Sequence, residues 1–234
     1  MEKSKQKIYS NAGNNDVLNL IPAGAKYILD IGCGDGANAR LLIKRNCIVD
    51  GITISEEEKT IAAEVMREVN VYNIENGLPV KAIAVYDAVI CSHVLEHICY
   101  PQQLMNDIHR VLKPNGTLIV ALPNIMHYQS RWQLARGNFN YKDAGIWDYT
   151  HFKWYTFITA RQLLEQHHFK IKVATVTGEL PANTVFKKIL SLTARKYIYS
   201  LLIKVSKGFF GYQLLYTAVI VDSSEKVDKQ YKEK

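Results

Sequence analysis

The chain has 234 residues, of which 48% are apolar and 22% are charged, and Lys and Arg outnumber Asp and Glu by 29 to 22. This composition is typical of a soluble globular protein, and no apolar run is long enough to predict a membrane-spanning helix. The net charge of +7 comes without zinc-finger spacing or an RNA-recognition motif, so we expect no nucleic-acid partner.

The N-terminal segment does not resemble a signal peptide. MEKSKQK leads into polar YSNAGNND without the apolar region that export signals contain. The Cys residues lack CxxC or disulfide-framework spacing, which favours reduced thiols; they are Cys33, Cys47, Cys91 and Cys99. We therefore expect a cytoplasmic protein.

Short apolar runs alternate with helical patterns between about residue 25 and residue 123. The runs that predict buried strands are 26–31, 47–54, 86–92 and 117–123. Helical patterns occupy 37–45, 55–69 and 101–112. Ser55 opens the second of these with acidic residues in the first turn, which caps a helix and complements its dipole. The alternation predicts an α/β fold with a parallel sheet and helices on both faces.

The pattern changes after Pro123. An irregular insertion at about 124–156 precedes a predicted helix at 159–169 and a strand at 170–177. A second, partly helical insertion at about 178–211 precedes a final strand at 212–221. Residues 222–234 are charged and have few apolar side chains to bury, which predicts disorder. We expect a single domain over 1–221, followed by this tail.

The first predicted strand ends in DIGCGDG, directly before a helix. Glycines at alternate positions let the backbone approach a ligand, and the helix N-terminus offers free N–H groups. The spacing is G-x-G-x-G, which is neither the G-x-G-x-x-G of dinucleotide folds nor a P-loop. Asp30 and Asp35 make the loop acidic, so it suits a cationic ligand better than a pyrophosphate. These features favour a ligand site over a turn that only makes a tight corner.

The same residues carry a family resemblance. ILDIGCGDG resembles the first motif of class I S-adenosylmethionine (SAM)-dependent methyltransferases, and residues 86–124 are similar to that family's stretch from its fourth strand through its fifth. With GITISEEE the similarity covers about residues 25–125, in the family's order. The resemblance implies a Rossmann-like, mostly parallel sheet whose last strand is antiparallel, with insertions after the fifth and sixth strands. It also implies SAM as the cofactor and S-adenosylhomocysteine as its product.

The resemblance implies roles for individual residues. Asp30 would lie near the amino group of the cofactor or near N–H groups of the loop, and Ser92 and His93 would line the cofactor's methionine end. Tyr9 precedes the first strand at a distance where relatives often place an aromatic ring over the cofactor. The loop residues that would surround the methionine part are Gly32, Cys33, Gly34 and Gly36.

One position departs from the family pattern. Relatives usually end the second strand with an acidic residue that binds both ribose hydroxyls, and here that position is Thr53, followed by Ile54. A hydroxyl cannot accept two hydrogen bonds as a carboxylate does, so ribose binding would depend on water or a neighbouring group. Asn73 would take the place of the acid that reads the adenine amino group, with the Ile74 N–H donating to the ring.

The segment CSHVLEHIC admits a rival interpretation. His93 and His97, with Glu96 and two Cys nearby, could resemble metal ligands. Zinc proteases, however, have H-E-x-x-H, and this sequence has H-V-L-E-H. Because the family resemblance accounts for SHVLEH without a metal, we expect no metal site.

The insertion at 124–156 holds all three Trp of the chain. It resembles a bacterial subgroup with the pattern PN…W…GxF.Y.D.GI.D.TH.RFFT, often linked to sugar, glycan or envelope biosynthesis. This resemblance implies an acceptor-binding wall, although most of the aromatic rings would pack the insertion onto the sheet. His151 is the candidate general base, with Asp148 to orient it, and His127 and His93 are the reserves.

The sequence therefore predicts a SAM-dependent methyltransferase that methylates an oxygen of a sugar, a glycan or another small molecule. The alternatives are a quinone, phenol or lipid acceptor, and a SAM-binding module without catalysis. Residues 183–211 mix Leu, Ile and Tyr with six Lys and Arg. Contact of this segment with an anionic membrane surface is a further expectation, and its alternative is a helix pair packed on the sheet edge.

Overall fold

The computed structural model describes residues 12–79, 83–181 and 183–221. Its strands are β1 Tyr27–Ile31, β2 Ile48–Thr53, β3 Glu68–Val71, β4 Tyr86–Ser92, β5 Leu112–Pro123, β6 Phe169–Thr177 and β7 Gln213–Ile220. They form one sheet in the order β3-β2-β1-β4-β5-β7-β6. Strand β7 is antiparallel to both of its neighbours, and the other pairs are parallel. The predicted Rossmann-like sheet with an antiparallel last strand is confirmed.

Helices connect the strands. They are α1 Asn15–Leu18, α2 Ala37–Leu42, α3 Glu56–Ala62, α4 Gln102–Val111, α5 Tyr128–Ala135, α6 Phe157–Gln166, α7 Asn183–Phe186, α8 Leu192–Val205 and α9 Lys207–Phe210. Short 3₁₀ turns occupy Ile43–Arg45, Ile74–Asn76 and Leu95–His97.

Two apolar cores lie on opposite faces of the sheet. Successive strand residues point to opposite faces, so Leu29 belongs to one core and Ile28 to the other. The first core includes Leu104 and Ile108 of α4, and the second includes Leu42 of α2. In α4 the apolar side chains recur at helical spacing, which gives the helix a single apolar face toward the sheet. Helices on both faces are thus confirmed.

The predicted helix over 55–69 is wrong in its second half. Helix α3 ends at Ala62, and Glu68–Val71 forms the edge strand β3, paired with β2. The Arg67 N–H donates to the Val49 carbonyl at 2.9 Å, and the Arg67 Nε donates to Asp50 at 2.8 Å. Strand pairing and this ion pair override the helical tendency of the local sequence.

Strand β5 also begins earlier than the predicted residue 117. The turn predicted at 113–116 lies within the strand, where Asn115 has a φ of +64°. The pairing register with β4 shifts beside it, between Tyr86 and Ala88. The turn chemistry therefore makes an irregularity in the strand instead of a boundary.

Both insertions are attached at the carboxyl end of the parallel strands. The first, with α5, follows β5, and the second, with α7 to α9, joins the end of β6 to the start of β7. Pro123 and Thr177 both pair with Gln213, which brings these attachment points together. No helix of the described residues is long and apolar enough to cross a membrane. Tyr9 and the tail at 222–234 lie outside the described residues.

Candidate functional site

The carboxyl ends of the parallel strands meet at one edge of the sheet. The residues at this edge are Gly32 after β1, Thr53 ending β2, Asn73 after β3, His93 after β4 and Asn124 after β5. Because β7 is antiparallel, its first residue, Gln213, lies at this edge as well. Open α/β sheets bind their ligands at such an edge, and the polar side chains here form the candidate site.

The glycine loop after β1 is held against β2 by its backbone. The Gly32 N–H donates to the Ile52 carbonyl at 2.8 Å. A Cβ on Gly32 would lie 2.5 Å from Val94 Cγ2, so the loop is in close contact with the segment after β4. Three loop glycines have the positive φ that side chains disfavour: Gly32 at +72°, Gly34 at +53° and Gly36 at +83°.

Asp30 lies beneath this loop and is 1% exposed. Its Oδ2 accepts from Asn38 Nδ2 at 3.2 Å, whereas Oδ1 is buried without a hydrogen-bond partner in the described part of the chain. Burial raises the pKa of Asp30 to about 7, and the Asn38 hydrogen bond lowers it by a smaller amount. A buried carboxylate with an open oxygen fits a cationic group such as the ammonium of SAM.

A chain of polar side chains extends from this carboxylate across the site. Asn38 Oδ1 accepts from the Asn14 N–H at 2.9 Å. Asn14 Nδ2 donates to Ser92 Oγ at 3.3 Å and to Gln213 Oε1 at 2.8 Å. Gln213 Oε1 also lies 2.7 Å from His93 Nε2. The structure thus joins the glycine loop to the two residues that the resemblance places at the methionine end.

Sequence reasoning missed Asn14, Asn38 and Gln213. Asn14 is recognisable only as the cap of α1, where its side chain accepts from the Val17 N–H. The one sequence signal for Gln213 as a site residue is that it is polar and stands at the start of an apolar strand. Asn14 and Gln213 are 199 residues apart, so no local pattern connects them.

A carboxylate from helix α3 lies against Thr53, the position at which β2 lacks the usual acidic residue. The Thr53 hydroxyl donates to Glu58 and accepts from the Ser55 N–H at 3.3 Å. Glu58 is 3% exposed and lies in the first turn of α3, where Ser55 is the N-cap. From the sequence, Glu58 was only one of three acids that complement the helix dipole. The structure places its carboxylate against the Thr53 hydroxyl.

The expected adenine residues follow the ends of β2 and β3. The Ile54 side chain is 62% exposed beside Thr53. Asn73 Oδ1 accepts from the Glu75 N–H at 3.0 Å and caps the turn at Ile74–Asn76. A carbonyl oxygen has a second lone pair, so this cap leaves Asn73 an acceptor for a ligand. The roles of Ile54, Asn73 and Ile74 stay predictions.

His93 and Glu96 form a polar pair after β4. His93 has a left-handed backbone, with a φ of +57°, and 43% of its side chain is exposed. Its Nδ1 lies 3.2 Å from Glu96 Oε1. Glu96 is fully buried, and its Oε2 has no hydrogen-bond partner among the described residues. Burial lowers the pKa of His93, but the hydrogen bond and charge of Glu96 outweigh it and raise the pKa overall.

The aromatic segment at 144–156 folds over this pair. The N–H groups of Phe152 and Lys153 donate to the Glu96 carbonyl at 2.9 and 3.1 Å. Some of the insertion's aromatic rings pack it onto the sheet and others face solvent. Trp147 and Tyr155 are buried, whereas Trp132, Phe139, Tyr141, Tyr149 and Phe152 are exposed.

His151 lies inside this segment and is 7% exposed. Its Nε2 is 4.0 Å from Glu96 Oε1, so Glu96 is shared by His93 and His151. Burial lowers the pKa of His151. The Asp148 carboxylate accepts from the Thr150 N–H and hydroxyl at 2.9 and 2.6 Å. The catalytic roles of His151 and Asp148 stay predictions.

His127, a reserve candidate for the base, is 3% exposed. Its ring packs against that of Tyr212, with centroids 5.3 Å apart. Burial lowers the pKa of His127 to about 4. A group with so low a pKa is a weak base at neutral pH.

Glu96, His97 and His151 form a group that could hold a metal ion, with ligand atoms within 4.8 Å of one another. The set differs from the one that CSHVLEHIC offers, because His151 comes from the insertion. His97 Nδ1 lies 3.1 Å from the Thr150 carbonyl, and His151 Nδ1 lies 3.2 Å from the Ile146 carbonyl. The expectation of no metal stays a prediction.

Known proteins resemble the chain in sequence and in fold. Residues 29–120 match the methyltransferase domain family. A ubiquinone biosynthesis O-methyltransferase of Coxiella burnetii (strain RSA 493 / Nine Mile phase I) is 29% identical over 133 residues, which are 54% of this chain and 57% of the relative. One of Acinetobacter baumannii (strain ACICU) is 31% identical over 105 residues, 42% of this chain and 44% of the relative. The chain thus spans about half the length of the curated relatives that it matches.

The likeness in fold extends beyond the matched segment. A SAM-dependent methyltransferase from Archaeoglobus fulgidus has a crystal structure that covers 87% of this chain and 90% of its own, with a TM-score of 0.62 and 21% identity. The family match includes the glycine loop, Thr53, His93 and Glu96. Residues 29–120 therefore match the methyltransferase domain family, in a chain with the fold of class I S-adenosylmethionine-dependent methyltransferases.

Proposed function

We propose that the protein transfers a methyl group from SAM to an oxygen of a phenolic, quinone-type small molecule. The curated relatives that it matches over about half their length are named ubiquinone biosynthesis O-methyltransferases. This name favours the quinone or phenol alternative over the sugar or glycan acceptor that we expected from the sequence. Exposed aromatic faces, such as those of Tyr149 and Phe152, suit a flat aromatic acceptor.

The observation that carries the proposal is the polar chain from Asp30 to His93 and Glu96. It connects the expected cofactor loop to an acid–base pair at the same edge of the sheet. A fully buried carboxylate lowers the stability of a fold, and a module that only binds SAM has no use for one beside a histidine. The one sequence feature that favours a non-catalytic module is Thr53, which replaces the usual acidic residue at the end of β2. The hydrogen bond from Thr53 to Glu58 brings a carboxylate to this position and so weakens that argument.

The chain's own residues orient the acceptor and take its proton, and SAM supplies an electrophilic methyl group when bound. Neutral His93 carries its proton on Nε2, which donates to Gln213 Oε1, so Nδ1 takes the proton of the acceptor hydroxyl. Glu96, beside Nδ1, balances the charge that the imidazole gains. Gln213 fixes the orientation of the ring through its contact with Nε2. A positioned base of this kind contributes about 10²- to 10⁴-fold to the rate. His151 is then a positioning residue that shares Glu96.

The acceptor class is tested by labelled-methyl transfer from SAM to matched panels of catechol-type phenols and simple sugars. We expect label in the phenol ether fraction only. Label in sugars alone would contradict the proposed acceptor but keep the enzyme. Calorimetric binding of S-adenosylhomocysteine with no transfer to either panel, or to a cell extract, would favour the non-catalytic module.

Cofactor binding should depend on pH through Asp30. In the free protein burial raises the pKa of Asp30 to about 7, and pairing with the ammonium of the ligand would lower it. The charged carboxylate binds the cation, so affinity should rise with pH by up to about tenfold per unit below pH 7 and level off above it. Calorimetry with S-adenosylhomocysteine at several pH values measures this rise.

Asp30→Asn is the control for that titration, because it keeps the shape and the Asn38 contact but cannot ionise. Its affinity should be lower above pH 7 and should lack the rise with pH. If the variant shows the same pH dependence as the parent protein, another group is responsible and the assignment to Asp30 fails.

A further inference from the structure

The positive charge of the chain is concentrated in the second insertion. Residues 180–221 contain six Lys and Arg and no Asp or Glu, whereas the rest of the chain has 23 Lys and Arg against 22 Asp and Glu. All six basic residues lie between Lys187 and Lys207. Most of the net charge of +7 therefore belongs to one short segment of the chain.

Helix α8 in this segment leaves its apolar side chains open to solvent. None of its fourteen residues is buried. Tyr197, Leu201 and Val205 are 65%, 43% and 80% exposed, and their spacing places them on one face of the helix. Lys204, seven residues after Tyr197, lies on the same face. Such a mixture is unusual on a helix that faces only water.

The opposite face of α8 attaches it to the body of the protein. Ile203 packs against the first apolar core, and the Tyr199 hydroxyl donates to the Phe210 carbonyl at 3.3 Å. Asn124 Nδ2 donates to the carbonyls of Gly208 and Gly211 at 2.9 and 2.7 Å, which fastens the segment to the end of β5. The helix is thus held with its other face outward.

We call the outward surface of this insertion the basic-apolar face. Apolar side chains that precede α8 or begin it are exposed as well. Val185, Ile189 and Leu192 are 56%, 72% and 59% exposed. The face is the set of exposed apolar and basic side chains of the insertion, and within α8 only Tyr197, Leu201, Lys204 and Val205 share one side of the helix. Its other exposed members are Val185, Lys188, Ile189, Leu192 and Lys196.

We propose that the basic-apolar face docks the protein on an anionic lipid bilayer. The apolar side chains enter the interfacial region, and the Lys chains extend their ammonium groups to the lipid phosphates. A second copy of the chain would bring like charges together, since residues 180–221 contain no acid. A nucleic acid would leave the exposed Leu, Ile and Val side chains without an apolar partner. An anionic membrane surface satisfies both the charge and the apolar area.

Docking in this way sets the position of the candidate site. The insertion returns to the sheet at Gln213, beside His93, so a docked molecule holds the site near the membrane surface. The inference goes beyond the proposed reaction and does not depend on it, because binding to vesicles is measured without cofactor or acceptor.

The experiment is sedimentation of the full chain with vesicles of phosphatidylcholine containing about 30% phosphatidylglycerol, and with vesicles of phosphatidylcholine alone. We expect binding to the anionic vesicles, weak or no binding to the neutral ones, and loss of binding as salt rises from about 0.1 to 0.5 M. Lys196→Gln/Lys204→Gln should lower the partition coefficient by about tenfold or more, and Leu201→Ser/Val205→Ser should lower it by a similar factor.

Lys26→Gln/Lys44→Gln is the matched control, because it removes the same charge from exposed positions elsewhere and should bind as the parent protein does. Circular dichroism checks that each variant is folded. Equal losses in control and test variants would show a non-specific charge effect and overturn the proposal. So would a lack of binding by the parent protein, or binding that the Leu201→Ser/Val205→Ser change leaves intact.

Discussion

Replacing His93 by Asn is expected to lower kcat by about 10²-fold or more, because a positioned base contributes roughly 10²- to 10⁴-fold. Asn tolerates a left-handed backbone, so the variant removes the base without straining the φ of +57° at this position. The dissociation constant of S-adenosylhomocysteine should change by less than about threefold, since the group acts mainly in the transition state. Labelled-methyl transfer and calorimetry provide the two measurements.

His151→Asn is the comparison that distinguishes the two histidines. If His151 only shares Glu96 with the base, its replacement should lower kcat by less than about tenfold. If kcat falls more in His151→Asn than in His93→Asn, the general base is His151, the residue that the sequence indicated. Both variants must bind S-adenosylhomocysteine for the comparison to hold.

The pH profile gives an independent view of the same pair. A base works when neutral, so activity should rise as the pH passes through the pKa of His93, which Glu96 holds above its ordinary 6.5. Glu96→Gln removes the negative charge that stabilises the imidazolium, and the rising limb of kcat/KM should move to lower pH. If the rising limb stays at the same pH, the charge of Glu96 does not affect the titrating group, and the assignment of that group to His93 fails.

Replacing Gly32 by Ala is expected to reduce cofactor affinity by about tenfold to a hundredfold, because the loop must move away from its present position. The φ of +72° disfavours any side chain, and the new Cβ would lie 2.5 Å from Val94 Cγ2. Movement would break the hydrogen bond from the Gly32 N–H to the Ile52 carbonyl. Calorimetry with S-adenosylhomocysteine measures the change in affinity.

Gly24→Ala is the control for backbone strain alone. Gly24 has a φ of +92°, and a Cβ there would meet nothing within 4 Å, so its replacement lowers stability by about 1–2 kcal/mol without a clash. Its cofactor affinity should equal that of the parent protein. Val94→Ala added to Gly32→Ala should restore part of the lost affinity. If it restores none, the steric contact is not the cause.

The order of elements and the glycine loop could be predicted because they depend on local patterns. Apolar runs, helix caps and the G-x-G-x-G spacing each occupy a few consecutive residues, and the sheet they imply is the sheet observed except for its edge strand β3. The edge strand at Glu68–Val71 escaped prediction because its pairing with Asp50–Thr53, not its own composition, makes it a strand.

The candidate site was harder to predict than the fold. The resemblance indicated Asp30, Ser92 and His93, which the structure connects through a polar chain. It could not indicate that Gln213 meets His93 across 120 residues of sequence, or that Glu58 would reach Thr53. Such contacts follow from how helices and strands pack, and a single sequence carries little record of that packing.

Strand β7 follows every other strand of the sheet in the sequence, which has a consequence for folding during synthesis. Asn14 and Gln213, which meet at the site, are 199 residues apart, so Asn14 is synthesised well before Gln213. The glycine loop and His93 exist long before the strand that fixes them is made. A ligand stabilises only the states that it binds, so if the site needs Gln213, SAM stabilises the protein only after β7 has joined the sheet. In that case cofactor binding selects molecules whose sheet is complete.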